Sequence, residues 1–216
     1  MERTFSARLD CRYLLQAGSP GGGLVVTLHG FGSTPEVMLR LTGQLVGPRH
    51  AIAALEAPHG FFLGPHTPDV GYGWATNRRH ADSVRLHHEM VRHTLETAGT
   101  ELGIPAERRV LLGFSQPVSL NYRFAVAHPG LVRGVAALCG GLPGDWDDAA
   151  PARLSAAVLH IARREDEYYP ESVTEQFPAR LRLRCEDVEF HQIDGGHRVP
   201  SKGAPLIERW LDRILR

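Results

Sequence analysis

Val110-Leu111-Leu112-Gly113-Phe114-Ser115-Gln116 is the stretch on which the fold turns. Its apolar start reads as a strand covered on both faces, since a strand with one wet face would alternate. Gly-x-Ser follows, and then a helix-like segment over 116–128. Strand, Gly-x-Ser, helix is the layout of a sharp turn that lifts a serine hydroxyl clear of a sheet. The helix N-terminus then presents its N–H groups and its dipole to a negative charge developing beside that hydroxyl. Gly113 suits such a turn because a side chain there would crowd it. The tripeptide alone is common; its place after a buried strand gives it weight.

Working outward, similar apolar runs stand at 24–28, 51–55, 134–138, 157–161 and 188–193. Between them lie helix-like segments at about 35–46, 79–98, 116–128, 171–183 and 204–215, with Val84, Val91 and Leu95 at helical spacing. Strand and helix alternate throughout, so the class is α/β, with a mostly parallel central sheet and helices on both faces. Residues 4–16 alternate polar and apolar and read as an N-terminal strand or hairpin. The Gly-rich turn at 17–23 precedes a strand, whereas a phosphate loop follows one, so it is not read as a phosphate site. Residues 57–78 form a long Gly/Pro/His-rich loop, and a loop of that length inside a compact domain is usually functional.

The chain has 216 residues, 43% of them hydrophobic, and 24 cationic side chains balance 24 carboxylates. One domain over 1–216 is expected, without internal repeat or linker. A neutral chain without a basic stripe argues against nucleic-acid or anionic-membrane binding. Cys11, Cys139 and Cys185 are an odd, widely spaced set, neither a disulfide framework nor a metal knuckle, and read as reduced thiols. The N-terminus lacks the apolar run of a signal peptide, and no run approaches a membrane span. A cytoplasmic protein without stable membrane association is expected; a homodimer is compatible with the sequence.

Three further signals follow strands. Leu28-His29-Gly30-Phe31-Gly32 ends the first clean strand, where an HG-type loop donates a backbone N–H to an oxyanion; a plain turn would use the same residues. Glu165-Asp166-Glu167 follows the run at 157–161, and a carboxylate there can orient an imidazole; a solvated acidic turn would look alike. His197 stands after Gly195-Gly196 on an exposed loop past the last strand, where a general base must sit. Each signal has a bland explanation, but their order, serine, acid, histidine after successive strands, is that of a serine hydrolase.

On these residues the chain resembles the phospholipase/carboxylesterase family of α/β-hydrolases. The matching pieces are Leu28–Gly32, Ala57-Pro58, Gly73-Trp74, Gly113-Phe114-Ser115-Gln116, Cys139-Gly140-Gly141-Leu142-Pro143, Asp166 with Pro170, and Gly196-His197. They span essentially the whole chain, at the length of the family's minimal, lidless members. The resemblance implies Ser115 as nucleophile, His197 as base, Asp166 as orienting acid, and Phe31 and Gln116 as oxyanion N–H donors. It implies substrate contacts from His29, Gly73, Trp74, Cys139, Gly140 and Leu142. The implied partner is a small-molecule ester of small or medium acyl chain, with no metal or organic cofactor. An acyl-thioester hydrolase or lysophospholipase on the same scaffold is the first alternative. A non-catalytic binding protein is the second.

Two departures bear on that choice. Pro117 stands where the family has glycine, and a proline pushes the preceding residue away from helical dihedrals, which would tilt Gln116 and misaim its N–H. The segment Ala162-Arg163-Arg164-Glu165 lacks the family's small residues before Asp166, and Glu165 and Glu167 compete with Asp166. The Asp166-to-Pro170 spacing favours Asp166. Tyr168 and Tyr169 are bulky and stand where they would shape the alcohol side. His87, His88 and His93 lack the i, i+4 spacing of a zinc helix and read as a solvated face. Arg180, Arg182 and Arg184 read the same way.

Overall fold

The computed structural model describes residues 1, 3, 5 and 7–216. Seven strands form the main sheet: β1 Tyr13–Gln16, β2 Leu24–Leu28, β3 Ala51–Leu55, β6 Arg109–Phe114, β7 Gly134–Leu138, β8 Ala157–Arg163 and β9 Val188–Ile193. Their spatial order is β1-β3-β2-β6-β7-β8-β9. All neighbours pair in parallel except β1, which runs antiparallel to β3 with Tyr13 opposite Leu55. The fold is that of an α/β-hydrolase.

The apolar runs are continuous because both faces are covered. Leu24, Val26 and Leu28 of β2 pack on one side with Met90, Val91 and Leu95 of helix α2 (His80–Glu101) and Val118, Tyr122 and Phe124 of helix α3 (Pro117–Ala127). Val25 packs on the other with Met38 and Leu45 of helix α1 (Pro35–Val46) and Ile207, Trp210 and Leu211 of helix α6 (Ala204–Ile214). Edge strand β9 is only half-buried along its length.

Topology fixes where a site can form. After β3 the chain crosses to the far side of β2, so β2 and β6 become neighbours, with Leu28 opposite Gly113. At such a reversal the loops leaving the two strands diverge and open a crevice at their carboxyl ends. Those loops begin with His29-Gly30-Phe31 and Ser115-Gln116.

Three local readings are corrected. Of the strand or hairpin read over 4–16, the structure forms β1 from Tyr13 onward; residues 4 and 6 lie outside the described residues. The loop at 57–78 holds a hairpin, β4 His59–Phe62 against β5 Val70–Gly73. It is tied to the loop after β2 by Gly32 N–H donating to Tyr72 O (2.9 Å) and Tyr72 N–H to Ser33 O (3.1 Å). The helix read over 171–183 is two, α4 Glu171–Thr174 and α5 Phe177–Arg182, because Pro178 has no N–H to continue the first.

Candidate active site

Ser115 occupies a one-residue left-handed turn (φ 63°) between β6 and α3. A non-glycine residue there is strained and persists only where its surroundings over-determine it. Ser115 N–H donates to Leu138 O of β7 (2.9 Å), and Val118 N–H returns to Ser115 O (3.1 Å). Close packing holds the turn from behind. A Cβ on Gly113 would lie 2.7 Å from Asn121 Nδ2, and one on Gly140 would lie 2.4 Å from Val118 Cβ. Only glycine lets the strands approach α3 so nearly.

His197 Nε2 lies 2.8 Å from Ser115 Oγ. Its Nδ1 lies 3.0 and 2.8 Å from the two oxygens of Asp166. The carboxylate is buried, and its Oδ1 also accepts the N–H groups of Tyr168 and Tyr169, each at 2.9 Å. With the carboxylate accepting at Nδ1, that nitrogen carries the proton and Nε2 offers a lone pair to the serine. Glu165 and Glu167 point elsewhere: Glu165 is exposed, and Glu167 Oε2 accepts the backbone N–H of His197 (3.1 Å). The structure therefore brings Ser115, Asp166 and His197 into one hydrogen-bonded chain.

Gln116 has helical dihedrals (φ −51°, ψ −46°), so Pro117 does not tilt it. The reason is its side chain. Oε1 accepts Trp74 N–H (2.7 Å) and Nε2 donates to Ala75 O (2.9 Å), which fixes the residue from outside the helix. Proline itself fits the first helical position, where its missing N–H would have no partner. Among the described residues, the backbone N–H groups of Phe31 and Gln116 have no protein acceptor.

A cleft of about 480 Å³ opens on Ser115 and His197. Phe31, Phe114, Leu120, Tyr168 and Tyr169 supply its apolar wall, and Thr76, Asn77, His80 and Ser119 its polar one. The Tyr168 and Tyr169 rings lie 4.7 and 6.0 Å from the His197 ring. Beside it the exposed Phe31 ring stacks on Phe61 (4.7 Å), next to exposed Phe62 and Leu63. A larger groove of about 760 Å³ between the N-terminal segment and α2 shares Thr76 with the cleft but does not reach Ser115.

The six residues for which substrate contacts are implied lie behind the cleft. None of His29, Gly73, Trp74, Cys139, Gly140 and Leu142 lines the cleft. His29 is fully buried; its Nε2 accepts Ala57 N–H (3.2 Å), so Nδ1 carries the proton and donates to Gly30 O (2.8 Å). Burial holds its pKa below the usual range. Trp74 is buried, with Nε1–H on His29 O (2.8 Å), and Gly73 gives way to the Phe31 ring. Cys139 is buried, with its thiol pushed up to about 12 chiefly by burial, and is no nucleophile at neutral pH. Gly140 backs the Ser115 turn, and Leu142 joins the core. These residues support the wall from behind.

The true lining was partly within reach of the sequence. Thr76 and Asn77 lie in the loop singled out for its length, His80 just past it, and Ser119 stands one helical turn beyond Ser115. The two solvated faces are corrected as well. His87 is fully buried, with Nε2 on Asn121 Oδ1 (3.2 Å) and its ring edge-on to Trp74 (5.6 Å). Arg184 is buried against Trp146 (4.5 Å) and pairs with Asp148 (2.8 Å). Among the described residues no cluster of three metal-binding side chains occurs, and no helix is long and apolar enough to cross a membrane.

With this geometry, comparison with known proteins is decisive for the family. The phospholipase/carboxylesterase model matches residues 10–214. The chain belongs to the phospholipase/carboxylesterase family. Solved structures agree on the family's fold. Esterase PE8 is 22% identical, with a TM-score of 0.76 over 95% of this chain and 100% of that one. A carboxylesterase from Mesorhizobium loti is 21% identical, with a TM-score of 0.74 over 97% of this chain and 98% of its own. The Bacillus cereus carboxylesterase is 14% identical, with a TM-score of 0.73 over 94% of each chain. No curated protein matches the chain in sequence. Family membership supports a hydrolase of the esterase type.

Proposed function

We propose that this protein is a serine hydrolase that cleaves carboxylic esters of small or medium acyl chains through an acyl-enzyme. The observation that carries the reading is the chain from Ser115 Oγ through His197 to Asp166, with links of 2.8 Å on either side of the imidazole. His197 Nε2 takes the Ser115 proton as Oγ attacks the ester carbonyl. The carbonyl oxygen becomes an oxyanion, received by the unpartnered N–H groups of Phe31 and Gln116. Asp166 stabilises the imidazolium that forms. His197 then gives its proton to the departing alkoxide, leaving an acyl group on Ser115. Water, deprotonated by the same Nε2, attacks the acyl carbon, and Ser115 Oγ leaves with the returned proton. A cleft of about 480 Å³, open to solvent and flanked by Tyr168 and Tyr169, suits a small or medium ester.

The test is labelling by a fluorophosphonate, read by intact mass and peptide mapping, with Ser115→Ala as control. One adduct on Ser115, absent from the variant, is expected. An unlabelled protein, under conditions where another serine hydrolase reacts fully, would sink the reading and leave a binding role.

A further inference from the structure

The loop that carries His197 is clamped by a side chain the mechanism does not use. Arg163, the last residue of β8, sends its guanidinium across the loop at 194–198. Its Nε and Nη2 donate to Asp194 O at 3.2 and 2.8 Å, and its Nη1 reaches Arg198 O at 3.3 Å. One planar group thus ties both ends of the five-residue loop, a fork that a single ammonium cannot reproduce. Gly195 is shaped to receive it. It has φ 118°, and a Cβ there would lie 1.8 Å from Arg163 Nη2. The thiol of Cys139 also donates to Arg198 O (3.5 Å), and Glu165 N–H donates to Gly195 O (3.2 Å). Neither Arg163 nor Cys139 lines the cleft, and the His197 ring stands between Asp166 and Ser115.

Resting on the function proposed above, we propose that Arg163 is a positioning residue. By spanning Asp194 and Arg198 it sets the angle and height of the His197 imidazole, and hence the fraction of molecules in which Nε2 meets Ser115 Oγ. Two glycines precede His197, so without the clamp the loop backbone gains freedom that the bonds from Glu165 N–H to Gly195 O and from His197 N–H to Glu167 only partly restrain. A misplacement of about 1 Å is enough to cost on the order of a hundredfold in rate.

The experiment compares wild type, Arg163→Met, Arg163→Lys and Arg164→Met on a short-chain p-nitrophenyl ester. Arg164 is the matched control, because its guanidinium makes only exposed ion pairs with Glu171 and Asp194. Expected for Arg163→Met are a kcat about 10–100-fold lower, KM within threefold, and fluorophosphonate labelling of Ser115 slowed in proportion. The downfield proton resonance of the His197 Nδ1–H should broaden or vanish, which a lower global stability alone, at a temperature where the protein is folded, would not cause. Arg163→Lys should recover less than a tenth of the lost rate, and Arg164→Met should stay within twofold of wild type. Should Arg163→Met fail to fold, Arg163→Lys carries the test, with an expected loss of about tenfold. Wild-type kinetics and an unchanged Nδ1–H resonance in a folded Arg163 variant would overturn the inference, while labelling of wild-type Ser115 would leave the function standing. An inert wild-type Ser115 would remove both.

Discussion

Gln116 and Trp74 are joined by a 2.7 Å hydrogen bond from the Trp74 backbone N–H to the Gln116 side-chain oxygen, and the same amide donates to Ala75 O at 2.9 Å. The residue beside the candidate nucleophile thereby clamps the segment that leads into the polar wall of the cleft. Gln116→Ala keeps the backbone N–H and removes both bonds. Each is worth roughly 0.5–1.5 kcal/mol net, so the unfolding free energy in urea should fall by about 1–3 kcal/mol. The wall at 75–77 loses its anchor, and kcat/KM on a small ester should fall about tenfold. Gln116→Glu keeps the acceptor and loses the donor, and should land between. An alanine variant with wild-type stability would mean that the clamp carries no net energy.

Pro117 leads to a prediction of small effect. Gln116 already has helical dihedrals, so restoring glycine at 117 has no misaimed N–H to repair. Pro117→Gly should change kcat by less than about threefold. It should also lower stability by roughly 0.4–1 kcal/mol, since the unfolded chain gains freedom that proline denies it. A rise in kcat of orders of magnitude would show that the native N–H arrangement is impaired.

How far the sequence carried these arguments follows from what each residue contacts. Ser115, Asp166 and His197 stand out in the sequence because each follows a strand within a few residues, and strands covered on both faces announce themselves as apolar runs. The hairpin at 59–73 was not, because His59–Phe62 and Val70–Gly73 are four-residue strands without alternation, held by backbone bonds to Gly32 and Ser33. His29 and Trp74 were placed in the cleft because motif matching finds neighbours in sequence. Whether such a neighbour faces substrate or the layer behind depends on its partners: Ala57 N–H and Gly30 O for the His29 ring, His29 O for the Trp74 indole. The bulk at 162–165 looked like a defect until Arg163 met Gly195, 32 positions on. No local pattern encodes that contact.

The three thiols should separate by burial. Cys11 is exposed, whereas Cys139 and Cys185 are buried, and burial pushes Cys139 up to about 12 and raises Cys185. Disulfide exchange needs a thiolate in reach of the reagent. At pH 8 an aromatic disulfide should release one equivalent of chromophore rapidly from the native protein and three after denaturation in urea. Two rapid equivalents would place a second thiol at the surface, contrary to the packing described.

Buried histidines set the acid limit of stability. His87 and His160 are fully buried, and burial drives both down to about 3, below the 6.5 of an unfolded imidazole. Tyr122 fixes His160 by a 2.9 Å contact between its hydroxyl and Nδ1, and His87 rests on Asn121. Between pH 6.5 and 3 the unfolded chain binds protons at these positions that the native chain excludes. Stability therefore rises with pH across that window and is lost as the medium turns acid. Each group contributes at most about 1.4 kcal/mol per pH unit, so the pair approaches about 3 kcal/mol per unit near pH 5. Carboxylates held by arginines, such as Asp145 by Arg123, also destabilise on acidification, but below their unfolded range near 4. Urea unfolding at pH 7.5, 6.5, 5.5 and 5.0 isolates the histidines. The expected curve is flat above about 7 and steepens below 6.5; His87→Gln, chosen to keep an amide partner for Asn121, should lower the slope by about one proton. Stability unchanged from pH 7.5 to 5.0 would mean that these imidazoles are hydrated and protonated in the native state, which the packing of His87 against Trp74 does not allow.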